Sequence, residues 1–254
     1  MTPQVICIPG SVAPAAQRYG PLKANLDGRA ELHMKDLEVY RGDSPPPDYS
    51  VDMEIEALER FADALGLNRF NLVGYSGGGF IALAFAGIRP ERLLSLAVFE
   101  PAMVPGSMTP EEQAMADTLS TQLDGLHGAQ FMSAFVRLQL KAGVQPPPPP
   151  PPAPGMEKRP AGIAAMMRAF LAFPFDRDRF RECGFPVYLG YGDLTDEIEA
   201  AKVAILASLF ADVRIQRFAE VHHFVPPERI YSPAHARALE ELWARGSASE
   251  LALQ

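Results

Sequence analysis

Gly74-Tyr75-Ser76-Gly77-Gly78 constrains this chain more than any other feature. The five residues have the G-x-S-x-G spacing of a nucleophile elbow, a sharp strand-to-helix turn that exposes a serine hydroxyl at the top of a parallel sheet. The serine in such a turn holds a strained backbone, and neighbours without a Cβ let the strand and helix approach closely. The flanks supply the required context. Phe70-Asn71-Leu72-Val73 is a short apolar run suited to a buried strand. Gly77 to Ala86 is small and apolar all round, as a buried helix must be. An incidental serine in a glycine-rich turn would need none of this.

Elements alternate on both sides of the elbow. Gln4-Val5-Ile6-Cys7-Ile8 reads as a strand ending at Pro9-Gly10, and Ala15 to Leu26 as a short helix. Leu37-Glu38-Val39-Tyr40 reads as a second strand, followed by a proline-rich loop at 41–47 that cannot join a ladder. Tyr49 to Leu65 carries apolar residues at helical spacing, with Ser50 or Asp52 as its cap. Leu93 to Phe99 is an apolar strand stopping at Glu100-Pro101. Pro186 to Tyr191 and Val213 to Phe218 are further strands, with a helix over Asp196 to Phe210 between them. Tyr231 to Arg245 forms the last helix. This alternation predicts the α/β class, a doubly wound, mostly parallel sheet with helices on both faces. Active groups should collect at the carboxyl ends of its strands.

Residues 101–182 break the rhythm. They hold helical patches at Pro110 to Leu123, Ala129 to Leu140 and Ala161 to Ala172, and a run of prolines from Pro146 to Pro152. An insertion of this length reads as a helical cap over the strand ends, with residues 1–100 and 183–254 forming the core. The proline run reads as a polyproline II spacer or a plain surface loop. The cap's apolar side chains, among them Phe131, Phe135, Met166, Met167, Phe170 and Leu171, are read as its own core or as the lining of an acyl pocket.

The charge balance narrows the partners. The formal net charge is -8 with no basic tract, which argues against nucleic acid and anionic membranes. No run reaches the roughly 20 apolar residues of a membrane span. Cys7 and Cys183 are far apart, Cys7 lies within an apolar strand as a buried free thiol, and no signal peptide precedes the first strand. A cytoplasmic setting is expected. No metal-ligand spacing and no lysine-bearing phosphate loop occurs, so no metal or cofactor is expected.

The elbow, the strand order, the insertion after Glu100 and a late histidine before the last helix together resemble the α/β-hydrolase superfamily, most closely its capped esterase-type or lipase-like members. The usual first antiparallel hairpin is missing. The resemblance implies a nucleophile, an acid and a histidine in that chain order, with Ser76 as nucleophile. His33 lies too early, His127 falls in the cap, and His235 falls on the solvent face of the last helix. Family members commonly show Gly-His-aromatic after the sixth strand, so His222-His223-Phe224 makes His223 the base and puts His222 where the glycine stands. Two carboxylates could orient the imidazole. Asp193 follows Gly190-Tyr191-Gly192 in the commoner pattern. Glu100 ends an apolar strand, where an unpaired carboxylate would be costly. Asp196 is a lesser option that also reads as a helix cap. The oxyanion donors implied are the backbone N–H groups of Gly77 and Ser11, although Pro9 replaces the superfamily's histidine in that loop. Tyr75 and Val12, beside the elbow and the oxyanion loop, are the candidate substrate contacts.

The function expected is a serine hydrolase cleaving carboxylic esters of small to medium, largely apolar substrates through an acyl-enzyme, as a monomer or homodimer. Ser76 disfavours dehalogenase and epoxide-hydrolase chemistry, which use an aspartate at the elbow. Carbon–carbon bond hydrolysis or cofactor-free perhydrolysis would use the same three groups. A non-catalytic ligand-binding protein on this fold is the remaining alternative.

Overall fold

The computed structural model describes residues 2–148 and 155–252. Pro149 to Pro152 of the proline run lie outside the described residues. The elements are β1 (Gln4–Ile8), α1 (Ala15–Leu26), β2 (Glu31–Met34), α2 (Val51–Ala64), β3 (Phe70–Tyr75), α3 (Gly77–Ile88), β4 (Leu93–Phe99), α4 (Pro110–Leu123), α5 (Gly128–Leu138), α6 (Arg159–Ala172), β5 (Val187–Gly192), α7 (Ile198–Leu209), β6 (Val213–Phe218), α8 (Pro227–Ile230) and α9 (Pro233–Ala252). Among the described residues, one sheet runs in the order β2-β1-β3-β4-β5-β6 with every pair parallel. The strand order turns around β1 and β3, which opens the crevice where α/β sheets hold their sites.

Local chemistry explains the boundaries. Every residue of β3 is buried, and Gly77 through Gly87 of α3 are buried too, which accounts for apolar sequence without alternation. Ser50 caps α2 by accepting from Met53 N–H at 3.2 Å. Thr109 and Glu112 form a reciprocal capping box at the start of α4, with Pro110 at the first helical position. One face of the sheet is filled by α2, α3 and α7 side chains such as Leu58, Phe80, Phe85 and Leu206. The other is filled by α1 and α9 with Tyr19, Leu22, Leu242 and Trp243.

The second strand is displaced from its expected position. β2 is Glu31–Met34, and Glu38–Tyr40 instead forms a 3-10 turn. Val39 is buried by that turn, so an apolar residue there does not signal a ladder. His33 therefore sits within β2, with Nε2 2.8 Å from Gln4 Oε1.

In the segment after β4, α4 packs on α5 and α7, α5 on α6, and α6 on the Glu38–Tyr40 turn. Leu123, Phe131, Phe135 and Ile163 make a small core of their own. Met166 and Phe170 of α6 join the main core instead, with the Phe170 ring stacked on Phe80 at 3.9 Å. No helix among the described residues is long and apolar enough to cross a membrane.

Candidate active site

The site is built at the carboxyl ends of β3, β4 and β5. Ser76 joins β3 to α3 with φ +54° and ψ -120°, a conformation that costs about 1–3 kcal/mol for a residue with a side chain. Backbone hydrogen bonds enforce it. Ser76 N–H donates to Phe99 O at 3.1 Å, while Ser76 O accepts from Phe80 N–H at 3.1 Å and Ala102 N–H at 2.9 Å. The glycines are required by contact. A Cβ on Gly74 would lie 2.6 Å from Gly78 O, and one on Gly78 would lie 2.3 Å from Pro9 O. Strand, helix and the loop after β1 can meet here only without those carbons.

Adjacent in the sheet, β4 ends at Phe99 and is followed by Glu100, which also holds positive φ, at 44°. Its carboxylate is 0% exposed and fully engaged. Oε1 accepts from Gly192 N–H at 2.7 Å and Thr195 Oγ1–H at 2.5 Å, and Oε2 lies 2.7 Å from His223 Nδ1. The other ring nitrogen, His223 Nε2, lies 2.9 Å from Ser76 Oγ. Burial alone would raise the Glu100 carboxyl. The hydrogen bond and charge of His223, with Thr195 and Gly192, outweigh it and hold the group below the ordinary carboxylate range. Burial also holds His223 below the ordinary imidazole range, against the pull of Glu100. The resting arrangement is a carboxylate beside a neutral imidazole, the state in which a histidine can accept a proton.

Of the two carboxylates weighed from the sequence, the structure brings Glu100 to His223 and leaves Asp193 elsewhere. Asp193 Oδ1 accepts from Glu220 N–H at 2.8 Å, and Oδ2 faces Arg217 at 3.4 Å. Glu220 has φ 57°, so Asp193 fastens the left-handed turn that leads to His223. Asp196 Oδ1 accepts from Ile198 N–H at 3.0 Å at the start of α7, as a cap does. His222 turns its Nδ1 to Phe224 N–H at 3.1 Å rather than to Ser76. His235 is not on the solvent face expected for it. It is buried among Tyr188, Phe218 and Tyr231, because α9 enters the core at its first turn.

Ser11 and Gly77 both line a cleft that also contains Ser76, with about 960 Å³ of empty space including its open mouth. Ser11 N is 4.0 Å from the point where a Gly77 Cβ would sit. Gly77 opens α3, where a backbone N–H has no partner within the helix. Arg159 of α6 donates to Ser11 O at 3.2 Å, tying the inserted helices to that loop.

Tyr75 and Val12 do not line this cleft. Tyr75 points to the opposite sheet face, where its ring stacks on His223 at 4.9 Å, its hydroxyl donates to His223 O, and the Arg18 guanidinium sits 3.4 Å above it. Val12 packs with Phe224 against the small α4–α6 core. The cleft wall is largely apolar, with Phe135, Leu138, Met166, Met167, Phe170 and Leu171 contributing. Of the apolar side chains in residues 101–182, Leu123, Phe131, Phe135 and Ile163 form a small core, and Met167 and Leu171 face this space.

Sequence reasoning missed four residues of this region. Thr195 and Arg18 carried no signal. Glu199 and Lys202 did, since two charges three residues apart on an otherwise apolar helix need each other to be buried. Burial, with Lys202 opposing it, pushes Glu199 up to about 7. Among the described residues, no group of three or more His, Cys, Asp or Glu side chains is placed to hold a metal ion.

Comparison with known proteins bears on this arrangement. A family model described as alpha/beta hydrolase fold matches residues 3–132. Over 54 residues the chain is 43% identical to a putative carbamate hydrolase, RutD, of Caulobacter segnis, covering 21% of this chain and 20% of that protein. The chain spans about a fifth or less of the length of the curated relatives it matches. Among solved structures, MenH from S. aureus superposes with a TM-score of 0.71 at 17% identity, over 97% of this chain and 95% of that one. Carboxylesterase CesB (YbfK) from Bacillus subtilis superposes with a TM-score of 0.64 at 18% identity, over 94% and 83%. At such identities the likeness speaks for the fold.

Proposed function

For a chain that belongs to the α/β-hydrolase family, we propose serine hydrolysis of carboxylic esters through an acyl-enzyme. The observation that carries this reading is the hydrogen-bonded line from Ser76 Oγ to His223 Nε2 at 2.9 Å and from Nδ1 to Glu100 Oε2 at 2.7 Å.

In this reading His223 takes the Ser76 proton as Oγ attacks the substrate carbonyl. Glu100 fixes the tautomer that leaves Nε2 free to accept and stabilises the imidazolium that follows. The carbonyl oxygen becomes an oxyanion held by the N–H groups of Gly77 and Ser11. His223 then returns the proton to the departing alcohol, and a water activated by the same imidazole releases the acid. Tyr75 acts on the histidine rather than on the substrate. The strained turn at Ser76 keeps this residue in the wall of the cleft. The apolar wall supports small to medium, largely apolar esters, and the inserted helices act as a cap. Cys7 and Cys183 are both buried and free, which supports a reducing compartment such as the cytoplasm.

Ser76→Ala should remove p-nitrophenyl butyrate turnover and fluorophosphonate labelling together while the thermal unfolding transition stays in place. Undiminished turnover by that variant would end the reading.

A further inference from the structure

One buried cation takes no part in the proposed chemistry. Arg18 lies on the buried side of α1 with Ala15, Tyr19 and Leu22, and is 6% exposed. Its Nε and Nη2 are buried without a hydrogen-bond partner. The titratable groups that face it are Tyr75, Tyr231 and Tyr19 rather than a carboxylate. Burial raises all three hydroxyls, so none of them carries charge at neutral pH. A guanidinium shielded from water among neutral groups is costly and calls for an explanation.

The order of contacts supplies one. The Arg18 guanidinium sits 3.4 Å from the centre of the Tyr75 ring, that ring stacks on His223 at 4.9 Å, and His223 Nδ1 lies 2.7 Å from Glu100 Oε2. A buried cation and a buried anion thus stand at the two ends of one series of contacts, with the imidazole inside it. The remaining groups near the ring add no net charge. Lys202 is paired with Glu199, and burial holds His222 below the ordinary imidazole range. His235, stacked on Tyr231, stays neutral down to about 4.

Charge balance shows what the cation does. At rest, Arg18 offsets Glu100 around a neutral ring. During attack the imidazolium appears together with the oxyanion, so the balance holds. A proton taken from solution at rest breaks it and leaves one buried positive charge in excess. Without Arg18 the order reverses. The solvent-protonated ring would neutralise Glu100, and that state cannot accept the Ser76 proton.

We propose that Arg18 is a positioning residue that reserves the positive charge of His223 for the reaction, by opposing protonation of the resting ring across Tyr75. The proposal rests on the hydrolase reading and adds the residue that sets the acid limit of activity. Burial does most to hold His223 neutral, Glu100 pulls against it, and Arg18 and Lys202 push the same way as burial. Lys202 carries its own counter-charge in Glu199, so Arg18 is the charge to remove.

The test is the acid limb of kcat/KM on p-nitrophenyl butyrate, a neutral ester, for wild type, Arg18→Met, Arg18→Gln and Tyr75→Phe. Removing a buried unit charge across one ring should raise the midpoint by about one pH unit in both Arg18 variants. That is about a tenfold loss of kcat/KM on the limb, and it vanishes on the plateau. Because the charge is a cost to the fold, Arg18→Met should unfold at the wild-type temperature or above. Tyr75→Phe removes the hydroxyl that holds His223 O but keeps ring and cation, so kcat should fall with the midpoint in place. If Arg18 only packs α1 on the sheet, its variants lose kcat alike at every pH and the midpoint stays. That result overturns the proposal, as does an equal shift in Tyr75→Phe or a failure of both Arg18 variants to fold, and each leaves the hydrolase reading intact. Absence of turnover on every ester by the wild type, with no fluorophosphonate labelling, overturns the hydrolase reading and this proposal with it.

Discussion

Replacing Glu100 by glutamine isolates the role assigned to this carboxylate. The substitution keeps shape and volume, so its effect comes from hydrogen-bond direction. Glu100 Oε1 faces two donors, Gly192 N–H at 2.7 Å and Thr195 Oγ1–H at 2.5 Å. The backbone N–H cannot reverse, so the amide oxygen of a glutamine must occupy that side. Its NH2 group then faces His223 Nδ1, 2.7 Å away in the native arrangement. Nδ1 must become the acceptor, the ring proton moves to Nε2, and the nitrogen beside Ser76 Oγ can no longer take a proton. Holding the wrong tautomer in a serine–histidine–carboxylate site costs about ten-thousand-fold in kcat. That corresponds to about 5.5 kcal/mol of transition-state stabilisation. The assay is steady-state hydrolysis of p-nitrophenyl butyrate by wild type, Glu100→Gln and Asp193→Asn, each checked for an unchanged unfolding transition. The Asp193 carboxylate pairs with Glu220 N–H and Arg217, and its variant should lose less than about tenfold, through a looser histidine loop. A Glu100→Gln enzyme within tenfold of wild type, or a larger loss at Asp193, would exclude Glu100 as the group that orients His223.

Three further outcomes follow from the same geometry. Because burial holds His223 below the ordinary imidazole value of 6.5 and the neutral ring is the active form, kcat/KM should rise with pH and reach its plateau with a midpoint below 6.5; a midpoint above that value contradicts the assignment. Burial pushes His235 down to about 4. The unfolded chain takes up a proton near 6.5 that the fold refuses until about 4, so stability present above pH 6.5 is lost on acidification, by up to about 3 kcal/mol; denaturant titrations of His235→Gln should show a flatter acid limb. Gly78→Ala puts a Cβ 2.3 Å from Pro9 O and 2.7 Å from Ile8 O. Main-chain atoms cannot swing aside, so it should cost about 1–3 kcal/mol in denaturation and depress kcat further by moving the loop that carries Ser11.

The parts of this molecule legible in its sequence are those governed by local patterns. The helix over Ala15–Leu26 and that over Pro110–Leu123 keep their expected bounds because periodicity and capping act within a few residues. The misplaced strand at Leu37–Tyr40 shows the limit: a buried valine in a turn and one in a strand look alike without the partner strand. The elbow was legible because a strained turn between buried elements leaves few residue choices. The choice between Asp193 and Glu100 was not, since both follow strands that end at the same sheet edge. It depends on which carboxylate crosses the edge to His223, a relation between positions 123 residues apart in the chain. His235 failed for the same reason, since the packing that buries it on Tyr188 and Tyr231 is non-local. Tyr75, expected at the substrate, follows the alternation of β3 onto the far face, where it meets the histidine from behind.

The proposed reaction forms a covalent bond at one oxygen atom, Ser76 Oγ. Rapid mixing with p-nitrophenyl butyrate, followed by acid quenching and peptide mass analysis, reads that bond out. A burst of p-nitrophenolate matching the enzyme concentration is expected, with a butyryl group on the peptide containing Ser76, absent in Ser76→Ala. Ester turnover with the acyl group on a different side chain, or with a burst that survives in Ser76→Ala, would contradict it.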